Sequence, residues 1–173
     1  MRRIITLFIA LACFSSALSQ PGAKDPNVKI KAIFLYNFTK YIVWPADYKE
    51  GDFIIGVLGE SSLINELSKM AQTKKVGRQN IVIKKYNSVN EIGKCHILCI
   101  PQESSTSLNE VIKKLNGNST LIITNKEGLA KKGAAINFKV EASKQRFELN
   151  TANATKYNLK VSANLSALAI VVN

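Results

Sequence analysis

Between Val28 and Pro45 the chain reads VKIKAIFLYNFTKYIVWP, with apolar positions recurring at helical spacing. On a helical wheel Ile30, Phe34, Leu35, Phe38, Tyr41 and Ile42 form one broad stripe. Ile33, Tyr36 and Trp44 lie toward the opposite side with Lys29 and Lys40. This is more apolar surface than a helix needs to dock on one core. Two readings stay open: complete burial, or burial of one side and commitment of the other to a partner, with Phe34, Tyr36, Phe38 and Trp44 as the candidate contacts. Pro45 helps to end the helix, because the residue before a proline is pushed out of the helical region.

Downstream the pattern alternates between short apolar runs and amphipathic stretches. Phe53 to Leu58, Ile81 to Ile83, Cys95 to Ile100 and Leu121 to Thr124 read as buried strands. Between them, Ser61 or Ser62 caps a helix to about Ala71, Ser88 to Ile92 forms a helical turn, and Ser104 to Ser107 caps a helix to about Leu115. A short helix to Lys132 follows the fourth strand. Ala134 to Val140 and Gln145 to Leu149 instead alternate apolar and polar residues, the mark of an antiparallel hairpin at a sheet edge. Thr151 to Tyr157 reads as helix, and Leu165 to Val172 as a C-terminal helix packed back on the sheet. The expected fold is therefore α/β: a single three-layer domain with a mainly parallel sheet and a C-terminal antiparallel edge hairpin.

The first residues belong to a different class. Arg2 and Arg3, the apolar run Ile4 to Phe14 and the small residues around Ala17-Leu18-Ser19 read as a secretory signal peptide over residues 1–19. Residues 20–27 then form a flexible N-terminus, and residues 28–173 the domain. Cys13 after Ala10-Leu11-Ala12 offers a competing lipoprotein reading, weaker because a larger aliphatic residue is usual where Ala10 stands. No later run approaches a membrane span, so export as a periplasmic protein is expected.

The formal net charge is +12, with Arg2 and Arg3 contributing two of the cations. Lysine pairs near helix and strand ends, without interleaved aromatics, argue against a nucleic-acid platform. A negatively charged membrane face or an acidic receptor stays open as a partner.

Catalytic chemistry is sparse. His96 is the sole histidine and lies in a buried-strand pattern, so a satisfied core histidine is favoured over a base. A histidine-based metal cage is excluded by count, no CxxC pair occurs, and GVLGE (Gly56 to Glu60) lacks the six-position dinucleotide fingerprint. No catalytic residue, metal or cofactor is assigned. Cys95 and Cys99 are too far apart along an extended strand to bond to each other, since four residues span about 13 Å. Buried free thiols are the simpler reading, with a redox role for Cys95 as the alternative. Arg146, Glu148 and Asn150 share one face of the last strand, opposite Phe147 and Leu149. They could contact a ligand or partner, or form a cross-strand ion pair on a solvated face.

Six segments in order, KAIFLYNFTKYIVWP (Lys31 to Pro45), GVLGE, CHIL (Cys95 to Leu98), AINF (Ala135 to Phe138), RFELN (Arg146 to Asn150) and LKVSANL (Leu159 to Leu165), resemble the YfiR family along nearly the whole chain after the leader. The resemblance implies a non-enzymatic periplasmic α/β regulator. In such members it binds the periplasmic domain of an inner-membrane diguanylate cyclase and holds it inactive; related domains are fused to sensor histidine kinases. It also implies a membrane-bound signalling receptor as partner, with contact through the aromatic helix and a homodimer as a further possibility. Members under redox control carry more cysteines in disulfides, and only Cys95 sits at a position resembling theirs. The alternative function is an envelope small-ligand-binding protein, with its pocket at the carboxyl ends of the strands.

Overall fold

The computed structural model describes residues 25–173. The leader, Cys13 and residues 20–24 of the expected N-terminal extension lie outside the described residues.

In chain order the elements are α1 (Val28–Tyr41), β1 (Ile42–Val43), β2 (Phe53–Leu58), α2 (Leu63–Ala71), β3 (Lys75–Val76), β4 (Gln79–Tyr86), β5 (Ile97–Ile100), α3 (Leu108–Lys114), β6 (Leu121–Thr124), β7 (Ile136–Glu141), β8 (Lys144–Leu149), α4 (Thr151–Lys156), β9 (Lys160–Val161), α5 (Ala163–Leu168) and β10 (Ile170–Val171). Eight strands form one sheet in the order β10-β8-β7-β6-β5-β2-β4-β3. From β4 to β7 neighbouring strands are parallel, while β7 and β8 form the expected antiparallel hairpin. The fold is a single α/β domain with a mostly parallel sheet.

The parallel strands require crossovers, and their order sends those crossovers both ways. From β2 the chain moves through α2 to β4 on one side, whereas β5 leads through α3 to β6 on the other. Right-handed connection then puts α2 and α3 on opposite faces, which makes the three layers. With both faces covered, the central strands are apolar throughout: Ile97, Leu98, Leu121 and Ile122 are each 0 % exposed. Gly56 lies where a side chain would not fit, since a Cβ there would stand 2.6 Å from the Tyr86 ring.

α1 covers the hairpin end of the sheet. Its inward line is Lys31, Ala32, Leu35 and Phe38, at i, i+1, i+4 and i+7. The expected stripe is thus rotated by about one position, and Ile30 is 44 % exposed rather than buried. The cause is Lys31, which fills the inward position of the first turn. Its ammonium reaches Asp25 Oδ2 at 2.6 Å and Asn125 Oδ1 at 2.8 Å and lies over the Phe138 ring. Asp25 also accepts from the Asn27 backbone N–H, so this part of the expected extension forms a turn leading into α1.

Two further expectations are corrected. The helix stops at Tyr41, and Ile42–Val43 turn extended to pair antiparallel with Lys160–Val161. Trp44 is therefore not on the helix at all. The C-terminal segment is not one helix either: α5 ends at Leu168, and Ile170–Val171 add a parallel strand beside β8. The unpaired backbone groups of β8 supply the reason, because an exposed strand edge offers hydrogen bonds that a surface helix would leave unused.

The hairpin turns at Ala142 and Ser143, with φ of 46° and 60°. A two-residue turn matching strand twist needs positive φ at both positions, which glycine and asparagine adopt most easily. Replacing the pair (A142N/S143G) should relieve strain of about 1–2 kcal/mol. The expected outcome is a higher urea midpoint with an unchanged slope, and an unchanged or lower midpoint would count against a strained turn.

Candidate functional site

The candidate surface begins with four phenylalanines. Phe34 and Phe38 sit one turn apart on α1, and Phe138 and Phe147 are cross-strand partners on β7 and β8. Phe38 meets Phe147 edge-on at 5.0 Å, and Phe34 meets it at 5.6 Å. Such pairs add about 0.5–1.5 kcal/mol each beyond burial, so they fix the helix on the hairpin. Phe38 is fully buried, whereas Phe34 stays half-buried at the rim.

The other wall is α5. The β1–β9 ribbon brings the chain back beside α1, and the Ser162 N–H donates to the Tyr41 carbonyl at 2.9 Å. Ser162 Oγ then accepts from the Leu165 N–H and starts α5. Leu165 enters the core, while Leu168 is 58 % exposed. Between the helices and β8 runs a groove of about 460 Å³, with Phe34, Tyr41, Phe147, Leu165 and Leu168 on its walls. Asn37 and Arg146 are its polar members. The exposed guanidinium of Arg146 makes no ion pair among the described residues. An apolar groove marked by one cation fits an apolar segment that carries a carboxylate.

The structure thus brings Phe34, Phe38 and Arg146 together and separates the other expected residues from them. Tyr36 lies elsewhere on α1, beneath the ammonium groups of Lys40 and Lys74. Trp44 is buried, and its indole N–H donates to the His96 carbonyl at 3.1 Å. Glu148 and Asn150 are buried as well, so the expected solvated face with a cross-strand ion pair is not what forms. Glu148 accepts from Asn137 Nδ2 at 3.0 Å, and Asn137 in turn accepts from Thr124 Oγ1 and the Lys126 N–H. Asn150 donates to the Ala130 carbonyl and accepts from the Asn153 N–H, capping α4. Near its C-terminal end this face is covered, because Asn150 and, on α4, Asn153 both donate to the Ala130 carbonyl of the Leu129–Lys132 turn, whereas Arg146 nearer the hairpin turn stays exposed.

His96 is a satisfied core residue. Its Nδ1 accepts from the Ile54 N–H at 3.0 Å, which fixes the proton on Nε2, and Nε2 donates to the Tyr48 carbonyl at 2.6 Å. Cys95 and Cys99 are buried free thiols, and burial pushes Cys95 up to about 12 and raises Cys99 as well. At the carboxyl end of β2, Ser104 stands beside Gly59, with Oγ donating to the Leu58 carbonyl at 3.0 Å.

Sequence reasoning placed Leu165 to Val172 in one helix, and so missed Leu165 and Leu168 as groove residues. The signal for Leu165 was its place in LKVSANL; Leu168 lies beyond that segment, and nothing local says which neighbour either residue will meet. No helix among the described residues is long and apolar enough to cross a membrane.

Burial lowers the His96 pKa from 6.5. The unfolded chain therefore takes up the proton first, so this contribution to stability is complete above pH 6.5 and is lost as the pH falls below it. Urea melts between pH 7.5 and 5 should show this decline, with a slope no steeper than about 1.4 kcal/mol per pH unit from one group. His96→Gln should be less stable at pH 7.5 yet flatter across the window. With Cys13→Ser removing the third thiol, Cys95 and Cys99 should resist Ellman's reagent at pH 8 in the native protein and react in guanidinium. Fast native reaction would return Cys95 to the redox candidates.

A protein-family description, YfiR/HmsC-like, matches residues 28–170. No curated protein matches the chain.

Proposed function

The chain belongs to the YfiR/HmsC-like family, and we propose that it is a non-enzymatic periplasmic regulator that binds the periplasmic domain of an inner-membrane signalling protein and holds it inactive. The family implies a diguanylate cyclase as that protein, and a receptor histidine kinase is the related case. The N-terminal leader would deliver the chain to the periplasm.

The observation that carries this reading is the groove between α1 and α5, in a chain matched to the family over nearly its whole described length. It presents Phe34, Tyr41 and Leu168 beside the exposed cation of Arg146. Desolvating such a patch against a complementary segment is how a modest interface gains affinity, through a few apolar anchors and one charge that sets register. Repression then follows from differential binding: if the groove fits only the inactive receptor conformation, occupancy holds the receptor there, and a signal that weakens binding releases it.

Phe38 is unsuited to a test because its removal would damage the core. Leu168→Asp and Arg146→Glu change exposed positions and should melt within a few degrees of the parent. Each should reduce capture of a diguanylate cyclase or sensor kinase from solubilised inner membranes at least tenfold, with the captured receptor identified by mass spectrometry. Unchanged receptor capture by both folded variants would remove the groove from the interface. Loss of a dimer in sedimentation, with receptor capture intact, would assign the groove to self-association instead.

A further inference from the structure

At the end of the sheet away from the hairpin the last strand is β3, which is two residues long. It pairs only with Gln79 and Asn80, so from Ile81 to Tyr86 no described strand lies along the outer side of β4. The inner pairing fixes which backbone groups face that side. The Gly59 N–H donates to the Tyr86 carbonyl at 2.8 Å, so Tyr86 bonds toward β2. Successive residues of a strand direct their N–H and C=O to opposite sides. Val82 and Lys84 therefore also bond toward β2, whereas Ile83 and Lys85 point away from the sheet. Their two N–H and two C=O groups make an open edge.

The residues that carry this edge are accessible. Val82 and Ile83 are half-buried, and Lys84 and Lys85 are exposed. Lys75 stands across from Asn80, which puts it on the same face of the sheet as Val82 and Lys84. Lys75 and Lys84 are exposed and make no ion pair among the described residues, while Lys85, on the other face, is bonded to Glu60. Lysines on an edge strand discourage pairing with a second copy. Around a two-fold axis at Ile83, Lys84 of each copy would become diagonal neighbours on one face, like charge beside like charge. The same lysines attract an acidic strand, and the excess of cations over the whole chain, +12, acts in the same direction.

We propose that the β4 edge takes up an extended acidic segment of another protein as an added strand. Main-chain hydrogen bonds to Ile83 and Lys85 hold it, and its carboxylates meet Lys84 and Lys75. This inference does not rest on the receptor reading, since it uses the opposite end of the sheet and neither Phe34 nor Arg146.

Hydrogen exchange of the 15N-labelled protein reads the edge directly: the Ile83 and Lys85 amides should exchange at least tenfold faster than those of Val82 and Lys84. A six-residue peptide of alternating glutamate and valine is the probe. Titration should shift the Ile83 and Lys85 amides saturably and slow their exchange at least tenfold. The same peptide with every backbone nitrogen methylated, or with lysine in place of glutamate, should bind at least tenfold more weakly, and rising salt should weaken the parent peptide. K75E/K84E, a pair of exposed positions, should lower its affinity at least tenfold, whereas the matched charge change K132E/K156E should lower it much less. Lys85→Pro removes one outward N–H without breaking a bond to β2, and should bind at least tenfold more weakly than Lys85→Gln. Equal binding of the methylated peptide, equal effects of the two double variants, or shifts confined to Phe34 and Leu168 would each overturn the proposal. So would a dimer in sedimentation that Lys85→Pro abolishes, which would give the edge to a second copy.

Discussion

Buried His96, with its neutral imidazole, joins the segments that meet at the amino end of the sheet. Its Nδ1 accepts from β2 at Ile54, and its Nε2 donates to Tyr48 in the turn before that strand. The residue's own N–H donates to the Ile54 carbonyl, while its carbonyl accepts from Leu121 at the start of β6 and from the Trp44 indole. Every polar atom of one residue is therefore spent, twice on β2 at Ile54 and once each on the turn at Tyr48, the start of β6 and the Trp44 indole. A buried group of this kind is tolerable only when fully satisfied, so the surrounding turns have little freedom to rearrange. That constraint holds Trp44 inward and fixes the amino end of the sheet.

From this anchor the division of the surface follows. At the carboxyl end of β2, Ser104 packs against Leu58 and Gly59. At the amino ends the rings of Trp44, Phe53 and His96 pack against one another in the core, with Lys49 and Arg78 exposed nearby. The hairpin end carries the groove between α1 and α5. The C-terminal turn of α1 contributes Tyr41 to that groove and Lys40 to the surface at the amino ends of the strands. A helix held on one side by a four-phenylalanine cluster can offer different residues to two surfaces only because its inward line is narrow.

Much of the fold was legible from pattern. Continuous apolar runs marked β2, β5 and β6, since strands covered on both faces have no polar side to display. Alternation marked β7 and β8, and the serine before Leu63 marked the start of α2. The lone histidine and the two cysteines inside apolar runs were readable as buried. The candidate site was legible only in part. Phe34, Phe38 and Arg146 were singled out separately, but neither their meeting nor the role of Leu165 and Leu168 could be read. Glu148 and Asn150 looked solvated because strand alternation reports which residues share a face, not whether that face is covered.

The sequence by itself determined the class of the fold and the order of its elements from β2 to the β7–β8 hairpin, because hydrophobic periodicity and turn residues act over a few positions, while its motifs carried the family resemblance. Tertiary structure alone decided what lies at the surface. Trp44 was turned inward by a bond to His96, fifty-two positions away. The last residues became a strand because the edge of β8 was open, and Lys31 took the inward place expected of Ile30 because Asp25 and Asn125 were there to hold its charge. Each outcome depends on a partner distant in the chain, and pairings of that kind are settled by packing rather than by local pattern.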